Sequence, residues 1–149
     1  MDETYVSEND LLIIEIKESA EKVTFNWKGK STGIDPAKFL GPIFDKHLFN
    51  NQKIIEMDFL ELEYLTSSTV TPMIRLLERI KNSSRSMKIF YDRDVDWQVK
   101  VFSALRVFSH QKHILISGIT KTASNNEQLL PITTYNLRCI ICLIHRLIL

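Results

Sequence analysis

The sequence contains little glycine and no glycine-rich segment. Its four glycines, at positions 29, 33, 41 and 118, are far apart in a chain of 149 residues. A loop that cradles phosphate brings several backbone N–H groups to one anion and needs closely spaced glycines to do so. The sequence therefore disfavours nucleotide binding, and it predicts no cofactor.

Cysteine is scarce as well, and neither sign of charge is in excess. Cys139 and Cys142 both lie near the C-terminus, so no disulfide framework spans the chain and a reducing compartment is compatible with it. Nineteen Lys and Arg residues against eighteen Asp and Glu residues leave no basic stripe for a nucleic-acid backbone. The first ten residues are acidic and polar, unlike a secretory signal. We expect a cytoplasmic protein without a nucleic-acid partner.

Long hydrophobic runs are missing, with one short exception. Residues 137–149, LRCIICLIHRLIL, are almost wholly aliphatic, but their thirteen positions fall below the ~20 needed to span a bilayer. They are interpreted as a final helix or strand docked on the core, as an interfacial membrane anchor, or as a tail that is not native to the fold. Membrane binding is disfavoured, and it is expected only through this segment if it occurs.

No catalytic or metal-binding constellation is complete. Histidines 47, 110 and 113 are scattered, without the HExxH spacing of a zinc protease, and no nucleophile elbow is present. Residues 92–96, DRDVD, begin like a calcium loop, but Trp97 and Ser103 stand where Gly and Glu are required. The CIIC segment with His145 has the spacing of three metal ligands and lacks a fourth. The sequence predicts no catalytic residue and no metal site, hence a protein that is not an enzyme.

The hydrophobic periods that are present predict an α/β fold. Apolar runs or alternation indicate strands at residues 11–16, 23–27, 53–59, 87–91 and 113–117. Helical spacing follows Asp35-Pro36, Val70, and Asp94 or Asp96, where the aspartates are candidate caps. Gly41-Pro42 predicts a kink or a restart in the first helix, which Asn50-Asn51 end. The first two strands are joined by the short polar segment 17–22, which predicts an antiparallel hairpin, and the later crossovers through helices favour parallel pairing. The order β-β-α-β-α-β-α-β predicts a single mixed sheet with helices packed against it, over residues 1–118. Residues 119–149 form a polar connector and the aliphatic tail.

Four consecutive hydroxyl residues, Thr66-Ser67-Ser68-Thr69, stand between the central strand and the helix that follows it. Ser and Thr cap helix N-termini by accepting backbone N–H groups. Because proline is tolerated in the first helical turn, Pro72 predicts a cap at Ser68 or Thr69, with Ser67 less favoured. The remaining hydroxyls are expected to lie exposed at the positive end of the helix.

This segment resembles the STAS domain of bacterial anti-sigma factor antagonists. The resemblance rests on a hydrophobic strand, on Asp58 ahead of a hydroxyl-rich turn, and on a helix that begins at that turn. In order and spacing it extends over residues 11–117. The family's turn typically reads Asp-Ser-Ser-Gly, so Thr66 and Thr69 replace its Asp and Gly.

The resemblance implies a non-catalytic regulator that binds a serine-kinase anti-sigma factor, is phosphorylated on a turn hydroxyl, and is reset by a phosphatase. By position the phosphoacceptor is Ser67, with Ser68, Thr66 and Thr69 as alternatives. The implied partner-binding residues are Asp58, Thr66, Ser67, Ser68, Thr69 and Thr71. Two alternatives stay open: a constitutive STAS-like docking subunit of a transporter or signalling assembly without a phospho-switch, and hydroxyls that only cap the helix.

Overall fold

A mixed sheet of six strands organises the computed structural model, which describes residues 1–49, 52–110 and 113–120. The strands are β1 Asp2–Val6, β2 Leu12–Glu18, β3 Lys22–Ser31, β4 Ile54–Leu65, β5 Met87–Asp92 and β6 Ile114–Ile119, and the helices are α1 Pro36–Leu48, α2 Ser67–Lys81 and α3 Asp96–Leu105. A short 3₁₀ segment, Arg106–His110, follows α3. The predictions for Asn50-Asn51, for residues 121–149 and for the cysteines lie outside the described residues.

The strands lie in the order β1-β2-β3-β4-β5-β6. The β1–β2 and β2–β3 pairs are antiparallel, and the remaining pairs are parallel. The fold class is thus confirmed, as are the β2–β3 hairpin and the parallel crossovers. No helix in the described part of the chain is both long enough and apolar enough to cross a membrane.

One sheet face is buried and the other is polar. Alternate strand residues join apolar residues of the helices in one buried core, because side chains alternate between the faces of a strand. They include Phe25 and Trp27 of β3 and Met57 and Phe59 of β4. The opposite face carries cross-strand ion pairs, such as Lys22 with Glu56 at 2.7 Å and Lys28 with Glu15 at 3.1 Å. The side chains of that face are half-buried or exposed.

Strand β1 is an addition to the predicted order. Its sequence DETYV lacks an apolar run, and its residues are exposed or half-buried. Side chains attach it to α1: Lys46 Nζ and Tyr5 OH each donate to Glu3 Oε2 at 2.6 Å, and Tyr5 OH lies 2.9 Å from His47 Nε2. The strand is thus held by contacts that are distant in sequence, which a local pattern does not reveal.

His47 should lower the free energy of unfolding in mild acid. The side chain is buried, and burial lowers its pKa below the ordinary value of 6.5, although Glu3 opposes the shift. Between the lowered pKa and 6.5 the unfolded chain binds more protons, so the free energy of unfolding should fall as pH drops through this window.

Urea denaturation at several pH values between 5 and 8 measures this effect. In His47→Gln the amide cannot titrate, so the decline over this range should be smaller than in the wild type. An equal decline in both proteins would assign the acid sensitivity to other groups.

Of the helix caps predicted for the first and third helices, the structure confirms one and contradicts the other. Asp35 caps α1, since its Oδ1 accepts from Lys38 N at 3.2 Å, and the helix continues through Pro42 without restarting. The predicted cap of α3 at Asp94 or Asp96 is wrong, because Val95 is the cap residue and Asp96 the first helical one. Asp92 forms this turn instead, with Oδ1 accepting from Asp94 N at 2.9 Å.

Strand β4 is longer than predicted and extends beyond its neighbour β5. Its pairing with β5 stops at Asp58, whereas its pairing with β3 continues to Leu65. The buried side chain of Gln98 in α3 binds the backbone where β4 no longer pairs with β5. Its Nε2 donates to the carbonyls of Phe59 and Leu62, each at 2.9 Å, and its Oε1 accepts from Asp92 N at 2.8 Å. One amide thus joins α3 to two strands.

Candidate functional site

Residues 66–69, which we call the hydroxyl turn, lie at the carboxyl edge of the parallel strands, where β4 ends. Thr66 N donates to the carbonyl of Ser31 at 3.1 Å, next to the last β3–β4 pair, Ser31 with Leu65. Below it, Ser31 Oγ and Thr69 Oγ1 form a hydrogen bond of 2.7 Å in which both side chains are buried. This pair joins the start of α2 to the end of β3.

Helix α2 begins earlier than predicted. Thr66 is the cap residue and Ser67 the first helical one, so the predicted cap at Ser68 or Thr69 is wrong. Pro72 lies inside the helix, where it cannot donate to the carbonyl of Ser68. The reason is tertiary: the ladder bond to Ser31 fixes Thr66 at the sheet, and the helix must begin at once for Thr69 to reach Ser31.

The turn hydroxyls bond to one another rather than to backbone N–H groups. Thr66 Oγ1 lies 2.8 Å from Ser68 Oγ and 3.1 Å from Thr69 Oγ1, and its side chain makes no capping hydrogen bond. With the Ser31 bond, these contacts form a hydroxyl chain, Ser68–Thr66–Thr69–Ser31, that runs from the surface into the core. We call this series of hydrogen bonds the hydroxyl chain.

The predicted site residues differ in accessibility. Ser67 and Ser68 are exposed, Thr66 and Thr71 are half-buried, and Thr69 is fully buried. Thr71 lies one helical turn beyond Ser67, so the two share a face of α2. The structure therefore brings five of the six predicted partner-binding residues together, but among these five only Ser67 and Ser68 are exposed.

The electrostatics at this end of α2 favour an anion. The N–H groups of Ser67 and Ser68 have no partner within the helix, because the first N–H groups of any helix lack one. No acidic residue stands in the first turn of α2. The positive end of the helix dipole is therefore not neutralised by its own side chains. A phosphoryl group on Ser67 or Ser68 would be placed where it is well tolerated.

Asp58 does not join this cluster. It lies within β4, opposite Asn26 and Phe90, and its Oδ1 accepts from Leu60 N at 2.9 Å. Leu65, at the edge, lies seven positions further along the strand, which at about 3.3 Å per residue amounts to roughly 20 Å. Asp58 belongs to the polar sheet face instead.

Ser31 is the site residue that sequence reasoning missed. It stands between Lys30 and Thr32, and nothing local distinguishes its hydroxyl from that of any loop serine. Its role comes from the strand register, which places it beside Leu65. In the part of the chain that the structure describes, no group of three His, Cys, Asp or Glu side chains could hold a metal ion.

Comparison with known proteins identifies a solved structure with a similar fold. No family model matches the sequence, and no curated protein matches it. Among solved structures, SiaC of Pseudomonas aeruginosa is similar, with a TM-score of 0.54 and 19% identity over 80% of this chain and 99% of the SiaC chain. At this identity the likeness concerns architecture alone. The chain shares the fold of SiaC.

Proposed function

We propose that this chain is a non-catalytic regulator that binds a protein partner through the surface around residues 66–71, and that phosphorylation of Ser67 controls this binding. The observation that carries the proposal is the placement of Ser67 and Ser68. Both are exposed at the positive end of α2, directly above the buried Ser31–Thr69 pair.

Ser67 is the favoured phosphoacceptor within this arrangement. Ser68 Oγ is already hydrogen-bonded to Thr66 in the hydroxyl chain, and Thr69 is fully buried. Ser67 is adjacent to Ser68, the residue at the surface end of the hydroxyl chain, and it is exposed to an approaching kinase. The resemblance to anti-sigma factor antagonists assigns the same position.

A phosphate on Ser67 would act on the partner rather than on the fold. It adds about −1.5 to −2 charge at neutral pH, and a helix N-terminus accommodates that charge. At the centre of an interface the same charge must be desolvated or meets like charge, which weakens binding. By the family resemblance, the partner is a kinase-type anti-sigma factor or a related regulator, and a phosphatase reverses the modification.

The test combines phosphosite mapping with partner binding. A partner recovered from the source cells and purified should bind wild type and Ser67→Ala alike, and Ser67→Asp more weakly by about tenfold or more, measured by calorimetry. Ser84→Asp is the matched control, because Ser84 is exposed in the loop at the opposite end of α2. It should bind like wild type.

Three outcomes would contradict this proposal. If a cognate kinase and ATP leave residues 66–71 unmodified and Ser67→Asp binds as wild type does, there is no phospho-switch at the turn. Binding that persists in all these variants would favour constitutive docking. Binding that is equally weak in Ser84→Asp would assign the effect to net charge.

A further inference from the structure

The sheet face opposite the helices changes in character from one edge to the other. On β2, β3 and β4 it carries charged side chains that pair across the strands, such as Lys28 with Glu15 at 3.1 Å. On β5 and β6 the same face carries Phe90, Leu115 and Ile119. We call these three residues the open-face patch.

The strand register brings the open-face patch together. Phe90 is opposite Ser117 of β6, and the other two members of the patch precede and follow Ser117 by two positions. Residues two apart on a strand point to the same face and lie about 6.6 Å apart. Gly118 points the other way, because a Cβ there would meet the side chain of Tyr91, which is buried in the core. Ile119 is therefore directed away from the helices.

The open-face patch is accessible. Leu115 exposes 52% of its surface, and Phe90 and Ile119 are half-buried. The charged neighbour in the register, Lys88 opposite Leu115, lies 4.0 Å from Glu56 of β4, on the side away from β6. An apolar surface on the last strand of a sheet invites association, and natural sheets cover such a surface with another element.

The chain itself supplies an apolar segment next to this patch. Ile119 is both a member of the patch and the last residue of β6, and the aliphatic segment 137–149 lies further along the chain, outside the described residues. Fully extended, the polar residues 121–136 between them span up to roughly 50 Å. Strand β6 has six residues and is about 20 Å long. The aliphatic segment can therefore reach every part of the patch.

The aliphatic segment has a spacing that suits this surface. Four of its apolar residues follow the positions i, i+3, i+4 and i+7 of one helical face, and we call them the tail stripe: Ile140, Leu143, Ile144 and Leu147. On such a helix Arg138, His145 and Arg146 fall together on the other side. The tail stripe would be about 10 Å long, against about 13 Å from Leu115 to Ile119.

We infer that residues 137–149 form a helix that lies on β5 and β6 and covers the open-face patch with the tail stripe. Both surfaces are uncharged, so the contact buries no charge, and the basic side of the helix faces water. The aliphatic segment then belongs to the fold of this domain and is not available to anchor it to a membrane. The inference goes beyond the proposed function and does not depend on a partner or on Ser67.

Photo-crosslinking in the purified full chain tests where the segment lies. p-Benzoylphenylalanine replaces Leu115, or Thr4 as the matched control, because Thr4 is exposed on the same face at the opposite edge of the sheet. After irradiation and tryptic digestion, position 115 should be joined to a peptide from residues 139–149 of the same chain, and position 4 should not. An adduct between two chains, equal adducts at both positions, or no adduct would overturn the inference.

Lipid vesicles test the competing location. Vesicles of phosphatidylcholine and phosphatidylglycerol, added before irradiation, should leave the adduct at position 115 unchanged. If the vesicles abolish this adduct and the protein sediments with them, residues 137–149 are a membrane anchor and the inference fails.

Substitutions within the segment test the helical stripe. With the crosslinker at position 115, Leu143→Asp should lower the adduct yield by about tenfold or more, because it places a charge in the apolar contact. Leu149→Asp is the matched control and should keep the yield. On a helix Leu149 falls with His145 and Arg146, whereas on a strand Leu143 and Leu149 would share a face.

Equal losses in the two variants would overturn the helical docking, and no loss in either would overturn the contact of the tail stripe. These measurements use this chain alone. Their failure therefore leaves the proposed function standing, and unchanged partner binding in Ser67→Asp would leave the intramolecular contact standing.

Discussion

Replacing Gln98 by leucine should lower the free energy of unfolding by about 3–5 kcal/mol. The change leaves the carbonyls of Phe59 and Leu62 and the N–H of Asp92 without the side-chain partner that now binds all three. The Gln98 side chain is fully buried, so water does not replace it without a rearrangement. Each buried polar group that loses its partner costs about 1–3 kcal/mol.

Urea denaturation followed by circular dichroism measures this loss. Gln52→Leu is the matched control, because Gln52 is exposed, and its effect should stay within about 0.5 kcal/mol. Gln98→Glu adds a test of the donors, since it keeps an acceptor for Asp92 N–H and removes the N–H groups that bind the carbonyls. It should be destabilised as well. A loss below about 1 kcal/mol for Gln98→Leu would mean that the carbonyls find other partners.

Gln98 also shows how far the sequence can be used to predict this fold. The spacing after Asp96 predicts a core face of Trp97, Val101, Leu105 and Phe108, with Phe102 and Ala104 beside it. Phe102, Ala104, Leu105 and Phe108 are buried, whereas Trp97 and Val101 are half-buried against the core. The buried face also carries Gln98, which the prediction did not include. Gln98 has the spacing i, i+4 and i+7 with Phe102 and Leu105, so a buried glutamine could have been found. Its three bonds could not, because they depend on where β5 ends beside β4.

The predicted elements were correct where one local period decided them. The β2–β3 hairpin, the Asp35 cap and the parallel crossovers follow from spacing and capping chemistry alone. Prediction failed where a distant contact outweighed a local preference. Pro72 favours a later helix start by its missing N–H, but the backbone bond from Thr66 to Ser31 holds the start five residues earlier than Pro72. Strand β1 likewise depends on α1.

The candidate site was predictable in its exposed part only. Ser67 and Ser68 could be identified because four hydroxyl residues interrupt two hydrophobic periods. The buried Ser31–Thr69 hydrogen bond beneath them could not be predicted, since the two residues are 38 positions apart and are brought together by strand register.

Gly29→Ala should be the second strongly destabilising change, by about 3 kcal/mol. Gly29 adopts a φ of 79°, a left-handed conformation that costs a residue with a Cβ about 1–2 kcal/mol. A Cβ at this position would also overlap the backbone carbonyl oxygen of Leu11. That oxygen accepts from Lys30 N at 2.7 Å, so it cannot move away without losing this bond.

Gly33→Ala is the matched control for the glycine effect. Gly33 has no left-handed φ, and a Cβ there meets nothing within 4 Å. Its replacement should be neutral or stabilise the chain by up to about 1 kcal/mol, because it reduces the freedom of the unfolded chain. Thermal and urea denaturation of both variants give the comparison. Similar stability of the two would show that β3 relaxes around the new methyl group.

The damage of Gly29→Ala should extend to the candidate site. The β3–β4 register shifts between Gly29 and Lys30, and this bulge sets the position of Ser31 beneath Thr69. If the strain is relieved by moving the end of β3, the hydroxyl chain moves with it. Partner affinity should then fall in Gly29→Ala under conditions in which the protein is still folded, whereas Gly33→Ala should bind as wild type does. Retained affinity in folded Gly29→Ala would show that the bulge supports the sheet without positioning the interface.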